Sequence, residues 1–464
     1  MRAQPRVERQ AVSSWLRLPR TSVTQSAAAL LAAASLQAVA HSGTGYLSTS
    51  GNQIVDGAGN SVRITGINWF GFETGTHVVH GLWTRNYKDM LQQVKDLGFN
   101  TLRIPYCNAA LSPGATTNSI NNWANPDLEG LSPIQVLDKI VEHCGELGLR
   151  VILDRHSALA DNFWNENLWY IPGSPTWTEQ RWIDDWVMLA GRYGGNATVI
   201  GADLFNEPKN SATWGNSAPA TDWNRAAERC GNAILAANPE WLIIVEGVQT
   251  FAGQSTWWGG NLMGAASFPV VLSAPNKLVY SMHDYPASVH AQPWFGAPNY
   301  PANLPGVWNG FWGYLFAQNT APLLLGEFGT KLQTTSDQEW LDTLMQYIDG
   351  DLDLDGQSDL PIGAKGMSWT FWCLNPNSGD TGGILADDWI TVNVVKMAYL
   401  QDSLAPLIGA ACAADLDGSG IVDGADLGAL LGNWGGAGSA ADFNGDGTVD
   451  GSDLGELLGE WGPC

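Results

Sequence analysis

The sequence predicts an α/β protein, a closed (β/α)8 TIM barrel carrying a small C-terminal α-helical module built on calcium loops. Three observations point there. Between Val62 and Pro376, eight apolar, β-rich runs alternate with amphipathic segments, as parallel strands covered outside and packed within require. The length of 464 residues exceeds one average domain but suits a barrel of ~250 to 400 residues with an appendage. Residues 412–464 repeat an acidic pattern.

Residues 1–40 read as an export signal. An Arg-bearing stretch (Arg2 to Arg20) leads into the small apolar run Ala27 to Ala40, which ends in Ala38-Val39-Ala40, a small-x-small cleavage site. The run is too short and Ala-rich for a membrane span. The mature chain is expected to start near His41 and to be secreted. Its six cysteines are then permitted to form disulfides.

Gly45–Val62 has the look of a hairpin closing the barrel floor. The strands are expected at Val62–Trp69, Thr101–Tyr106, Arg150–His156, Val199–Asn206, Leu242–Glu246, Leu278–Tyr285, Leu323–Phe328 and Met367–Trp372. Between them Tyr87, Met90, Leu91, Val94 and Leu97 share one helix face, as do Leu137, Ile140, Val141, Cys144 and Leu147. Gly98 and Gly148 fit the caps that follow. No glycine-rich phosphate loop follows a strand, which speaks against nucleotide binding. The barrel domain is expected over 41–405 and the tail module over 412–464, with a short boundary near Ala405–Ala411.

The formal charge of −24 argues against nucleic acid or an anionic membrane as partner, since both need a positive footprint. Twenty-three tryptophans exceed what a core explains. Those in loops, such as Trp164, Trp169, Trp257 and Trp258, suit the C–H faces of sugar rings.

A barrel collects its active site at the carboxyl ends of its strands. There the sequence sets Arg103, His156, Asn206, Glu207, Glu246, His283, Tyr285, Glu327 and Trp372. Glycoside hydrolysis needs one protonated carboxyl to serve the leaving oxygen and one ionised carboxylate to attack or activate water. Glu207 in Asn206-Glu207-Pro208 and Glu327 in Gly326-Glu327-Phe328-Gly329 end the fourth and seventh strands and supply such a pair. Glu246 also ends a strand but lacks a preceding Asn, and reads as structural or supporting. Asp154, Asp203 and Asp284 read as members of hydrogen-bond networks. Trp83 and Trp258 are candidate outer sugar platforms or packing residues.

From about Gly45 to Leu400 the chain resembles glycoside hydrolase family 5, close to its actinobacterial-type endo-β-1,4-glucanases. The resemblance is carried by Gly66-Ile67-Asn68-Trp69-Phe70-Gly71-Phe72-Glu73, Arg103-Ile104-Pro105-Tyr106, Leu153-Asp154-Arg155-His156, Asn206-Glu207-Pro208, Val245-Glu246-Gly247-Val248, His283-Asp284-Tyr285, Gly326-Glu327-Phe328-Gly329 and Trp369-Thr370-Phe371-Trp372. It implies a retaining, endo-acting cellulase with Glu207 as acid/base and Glu327 as nucleophile, and no catalytic cofactor. Arg103 and Tyr285 would hold the nucleophile, His156 and Asn206 the sugar in the −1 subsite, and His283 the acid/base, with Trp372 as sugar platform. Mannan, xyloglucan or mixed-linkage glucan is the alternative substrate on such a barrel. Where close relatives have a second tryptophan two residues after Trp372, this chain has Cys373-Leu374.

In the tail, Asp415, Asp417, Ser419, Gly420, Asp423, Asp426 recur 27 residues later as Asp442, Asn444, Asp446, Gly447, Asp450, Asp453. Oxygen ligands at positions 1, 3, 5, 9 and 12 with Gly at 6 make a calcium loop, and a short helix is expected after each (Leu427–Trp434, Leu454–Trp461). Without an entering helix or a Glu at position 12, the pair resembles a dockerin, which implies a cohesin partner. At positions 10 and 11, Gly424-Ala425 and Gly451-Ser452 replace the usual polar pairs; a calcium-stapled, surface-associating tail is the alternative. Cys412 and Cys464 bracket the module and suit a disulfide clamp. The insert Asp351, Asp353, Asp355, Gly356 begins a similar loop but has Ile362 at position 12, and reads as a solvated acidic loop.

Overall fold

The computed structural model describes residues 45–409, 414–417, 421–436, 439–444 and 446–463. Residues 1–44, which include the expected export signal, and Ser419, Gly420, Cys412 and Cys464 lie outside the described residues. Three short antiparallel strands, β1 (Ser48–Ser50), β2 (Gln53–Val55) and β3 (Ser61–Val62), come first.

Eight parallel strands then close a barrel: β4 (Thr65–Asn68), β5 (Thr101–Cys107), β6 (Arg150–Ser157), β7 (Val199–Asp203), β8 (Leu242–Glu246), β11 (Leu278–His283), β12 (Leu323–Glu327) and β13 (Ser368–Phe371). A small hairpin, β9 (Thr250–Phe251) and β10 (Gln254–Ser255), stands between β8 and β11. Each expected run coincides with one barrel strand, though β5 and β6 run one residue further, to Cys107 and Ser157. Val62 alone belongs elsewhere, in the floor sheet.

Because side chains alternate along a strand, one apolar run serves two cores. Ile152, Ile200, Leu242, Ile244, Val279 and Leu324 pack together with Leu47, just before β1, and Ile54 of β2, so the N-terminal segment seals the lower end. Their neighbours Val151, Leu153, Val199, Ile243, Val245, Leu323 and Leu325 pack outward in the large helix-side core. Each such side chain withdrawn from water contributes ~1.5–3 kcal/mol.

The helices α1 (Tyr87–Asp96), α2 (Pro133–Leu147), α3 (Glu179–Arg192) and α4 (Trp223–Ala237) cover the first strands. Asn86 caps α1 by accepting from Lys88 N at 2.7 Å, and Tyr87, Met90, Leu91 and Val94 are its buried face. Gly148 ends α2 at φ +78°, a conformation in which glycine avoids the Cβ penalty. After β11, α5 (Leu304–Trp308) and α6 (Tyr314–Ala317) flank a π-helical turn, and α7 (Thr335–Asp349) and α8 (Val394–Leu400) follow. Among the described residues no helix is long and apolar enough to cross a membrane. Cys107, Cys144, Cys230 and Cys373 are separate, buried thiols.

In the tail, Ala414, Val422, Leu430, Ala441, Val449 and Leu457 form a small core of their own. Its helices, α9 (Gly424–Gly432) and α10 (Gly451–Gly459), begin three residues before the expected Leu427 and Leu454. The reason is capping: Asp423 and Asp450 accept from Ala425 N at 2.7 Å and Ser452 N at 2.8 Å, which starts each helix inside the acidic loop. The short strands β14 (Ile421–Val422) and β15 (Gly462–Pro463) pair antiparallel.

Candidate active site

Arg103, in the middle of β5, is fully buried. Its five N–H donors meet five acceptors. Nε donates to Asp203 at 2.9 Å, Nη1 to Asn68 at 3.0 Å and Glu327 at 2.7 Å, and Nη2 to Asn206 at 3.1 Å and Glu246 at 3.3 Å. Asp154 Oδ1 stands 3.3 Å from Nη2 as a further counter-charge. Burial disfavours the guanidinium charge, but Asp154, Asp203, Glu327 and Glu246 outweigh it and hold the pKa well above the ordinary value. Burial pushes the Asp203 carboxyl well up, against the opposing pull of Arg103. The same cause raises Glu246.

Glu327, last residue of β12, receives Arg103 on Oε1 and the Tyr285 hydroxyl on Oε2, both at 2.7 Å. Glu207 lies four residues beyond the end of β7, at φ +54°, left-handed backbone that a residue with a Cβ adopts at a cost of ~1–2 kcal/mol. Its N–H donates to Glu246 Oε2 at 2.8 Å, and its Oε1 lies 3.1 Å from His283 Nδ1. Oxygens of Glu207 and Glu327 lie within 4.8 Å of each other, with His283 in the same triangle.

His283 is fully buried. Burial lowers its pKa, but Glu246, Glu327 and Glu207 reverse this and drive it well above the ordinary imidazole value. Burial likewise raises Glu207, yet the hydrogen bond and charge of His283, with Lys209 and His156, bring it below the usual carboxylate value.

His156, at the end of β6, has Nδ1 2.8 Å from Asp154 Oδ2 and Nε2 3.5 Å from Asn206 Nδ2. Its ring stacks on Trp372, 5.9 Å between centroids and 13° between planes. From here an aromatic row runs both ways. Trp372 stacks on Phe70 at 5.4 Å, followed by His80, the exposed Trp83 and Trp389. On the other side stand Phe163, the 61% exposed Trp164 and then Trp258. Lys209 Nζ lies 4.1 Å from the Trp258 ring and donates to Phe163 O at 2.8 Å.

The structure thus gathers Arg103, His156, Asn206, Glu207, His283, Tyr285, Glu327 and Trp372 into one cluster, with Trp83 and Trp258 toward opposite ends of the row. Asp154 and Asp203 sit in the arginine network, and Asp284 accepts from Trp308 Nε1 at 3.1 Å and Trp340 Nε1 at 2.8 Å. Trp169 is a correction. It is fully buried against Trp182 and Trp223, a core residue despite its loop position. Trp257 is also buried, beside Tyr285. Cys373 and Leu374 are buried and offer no sugar-sized face.

Sequence reasoning missed the bond from Glu207 N–H to Glu246, the bracing by Lys209, and Glu73. The last is a buried carboxyl accepting from Gly71 N at 2.7 Å, which burial pushes up to about 7. Motif spacing carries no trace of the first, because it depends on a left-handed residue.

In the tail, oxygens of Asp415, Asp417 and Asp426 converge within 4.8 Å. Asp426 is out of solvent and accepts from Leu416 N and Asp423 N, both at 2.8 Å. Asp453 repeats this with Phe443 N and Asp450 N, also at 2.8 Å. In the second loop Asp442 accepts from Gly447 N at 2.9 Å and Asn444 from Asp446 N at 2.9 Å. Asp442 Oδ1 is buried without a hydrogen-bond partner among the described residues. Asp423 and Asp450 serve as helix caps, a use additional to the ligand role expected of them. Asp351, Asp353 and Asp355 also converge, in a largely exposed turn.

Residues 55–378 match the model of the cellulase family, glycosyl hydrolase family 5. An endoglucanase of Paenibacillus polymyxa is 48% identical over 372 residues, 79% of this chain and 89% of that one. The major extracellular endoglucanase of Xanthomonas campestris pv. campestris is 41% identical over 387 residues, 82% of this chain and 75% of that one. Among solved structures, an endocellulase of Pyrococcus horikoshii in complex with cellotetraose is 40% identical with a TM-score of 0.70, covering 78% of this chain and 100% of that one.

Proposed function

The chain belongs to glycosyl hydrolase family 5, and from that premise we propose that it is a secreted, endo-acting cellulase that cleaves internal β-1,4-glucosidic bonds with retention of configuration. The observation that carries this reading is the approach of Glu207 and Glu327 oxygens within 4.8 Å, from the ends of different strands. Retaining enzymes hold their carboxyl groups ~5–5.5 Å apart, whereas inverting ones leave ~6.5–9.5 Å for a water.

In the first step Glu327 attacks the anomeric carbon while a proton passes from Glu207 to the glycosidic oxygen; the bond breaks and the shortened glucan leaves. A covalent glycosyl ester on Glu327 remains. Water then attacks the same carbon, gives its proton to the Glu207 carboxylate, and releases the sugar with Glu327 restored. Arg103 and Tyr285 hold one Glu327 oxygen each and so aim the nucleophile. His156 and Asn206 stand where a −1 sugar would meet them, and the Trp372 face would lie beneath it. Proton transfer to Glu207 along its contact with His283 readies the acid. Trp83 and Trp258 would serve sugars farther along the chain.

The pattern of residues 1–40 supports export. In the tail, the convergence of Asp415, Asp417 and Asp426 and the orphaned Asp442 oxygen fit a hard cation of calcium's kind. Asp415, Asp417 and Asp426, with Ser419 and Asp423, would hold one ion; Asp442, Asn444, Asp446, Asp450 and Asp453 a second. The ions would brace the loops, and a cohesin-type protein is the partner such a module would take.

The test is hydrolysis of carboxymethyl-cellulose followed by NMR of the new reducing ends. The β-anomer appears first if configuration is retained, and viscosity falls faster than reducing sugar rises if attack is internal. An α-anomer first overturns the covalent route. Activity confined to mannan, xyloglucan or mixed-linkage glucan overturns the substrate.

A further inference from the structure

We infer that Glu246 is the positioning residue of the proton-donating half of the site: it pins the backbone of Glu207 and holds His283 against the Glu207 carboxyl, an inference that rests on Glu207 being the acid/base. Glu246 ends β8 and is fully buried, so it has no route to a sugar. Its two oxygens are divided between two tasks.

Oε2 accepts the Glu207 N–H at 2.8 Å. That amide belongs to a non-glycine residue at φ +54°, a conformation that persists only when its surroundings hold it. Oε1 stands 3.2 Å from His283 Nε2 and 3.3 Å from Arg103 Nη2. His283 Nε2 makes no hydrogen bond of good geometry, so the ion-pair contact with Glu246 is what anchors that side of the ring. The other side faces Glu207 Oε1 at 3.1 Å. An imidazole held between two carboxylates keeps one orientation, and its Nδ1 edge is aimed at the acid.

The surroundings are cut to admit this carboxylate. Gly259, at φ +71°, packs so closely that a Cβ there would lie 2.1 Å from Glu246 Oε2 and 3.4 Å from Glu207 Cα. Any side chain at 259 must push Glu246 out from beneath the Glu207 turn.

The charged groups around the relay define the test. His283 faces Glu207, Glu246 and Glu327; Glu207 also feels Lys209 and His156; Glu246 feels Arg103 and Asp154. Glu246→Gln keeps an amide oxygen for the Glu207 N–H but removes the negative charge beside His283. Measured over pH, kcat/KM on cellotetraose, whose leaving group needs a proton, should fall about 100-fold. On dinitrophenyl β-cellobioside, whose leaving group needs none, it should change less than about 3-fold, the aided proton transfer being absent from that step. Loss of a negative neighbour lets the relay release its proton more readily, so the alkaline limb should move to lower pH. Gly259→Ala displaces the carboxylate without changing charge and should show the same selectivity for leaving group. Equal losses on both substrates, or no loss on cellotetraose, overturn the proposal; should Glu246→Gln not fold, Gly259→Ala decides by the same criterion. Glu207→Gln is the control: if it shows no dependence on the leaving group, the acid/base reading fails, not the role of Glu246.

Discussion

At the barrel mouth Arg103 meets Asp154, Asp203, Glu246 and Glu327, whereas the ten Asp and Glu residues of 412–464 have no Lys or Arg among them. Both regions concentrate carboxylates, and they settle the repulsion differently. The barrel supplies its own cation, buried and met donor for acceptor, so the charge pattern is fixed before any ligand arrives. The tail spends backbone amides instead, on Asp426 and Asp453, and its outer acids Asp415 and Asp417 converge with Asp426. A buried charge cluster balanced by its own cation is thus a preorganised instrument, whereas the tail's acids are held by backbone amides.

The largest effect expected is on Glu327→Gln. If the barrel cluster is an instrument, turnover on carboxymethyl-cellulose falls by at least about 10³-fold while the melting temperature stays near that of the parent. More than a few per cent residual activity excludes Glu327 as nucleophile. Next, Arg103→Met strands four carboxylates without their cation and should cost about 3–5 kcal/mol in urea unfolding. A loss below about 1 kcal/mol would mean the cluster tolerates its own repulsion, and the contrast with the tail would collapse.

pH sharpens the contrast because the signs oppose. Glu73 is raised by burial from 4.5 to about 7, so between those values the folded chain holds a proton that the unfolded chain has lost. The contribution of Glu73 to stability is fully present below the lower value and is lost as pH rises through the upper one. Glu73→Gln should flatten that decline and stabilise the barrel above it by up to ~3 kcal/mol, read from unfolding midpoints across pH. In the tail, hydrogen bonds from Asp423 N, Asp417 N and Leu416 N lower Asp426, and Asp453 is lowered in the same way. Its stability is present above the ordinary carboxylate range and lost as pH falls through the lowered values, which amide exchange of 421–459 should register. The smallest effect on the enzyme is that of a chelator. Amide exchange in the tail should speed up while cellulose hydrolysis is unchanged; tail exchange that ignores both chelator and added Ca²⁺ removes calcium from the account.

The barrel was legible because eight apolar runs had two cores to fill and left little choice of strand. The polar residues at their ends were legible for a related reason: a Glu or His that closes such a run, as Glu246, His283 and Glu327 do, has nowhere to go but the mouth. Arg103, expected at a strand end, sits mid-strand instead and reaches the cluster by its length. What stayed hidden depends on backbone conformation or packing beyond the strand. Glu246 looked supporting without an object to support, since that object is the amide of a left-handed Glu207. Trp169 was misjudged because a loop can dive beneath its neighbours as readily as ride over them. The early starts of α9 and α10 followed from Asp423 and Asp450 serving the helix as caps as well as the loop.

The aromatic row from Trp258 to Trp83 has a consequence for movement. Flat rings hold a sugar by dispersion and by the exclusion of water, forces with little preference for where along the face it rests. A glucan bound there as proposed would slip by one glucose without first breaking directed bonds, and would meet its detent at the polar cluster. On the proposed reading, resistance to sliding would be low along this row and high at the polar cluster.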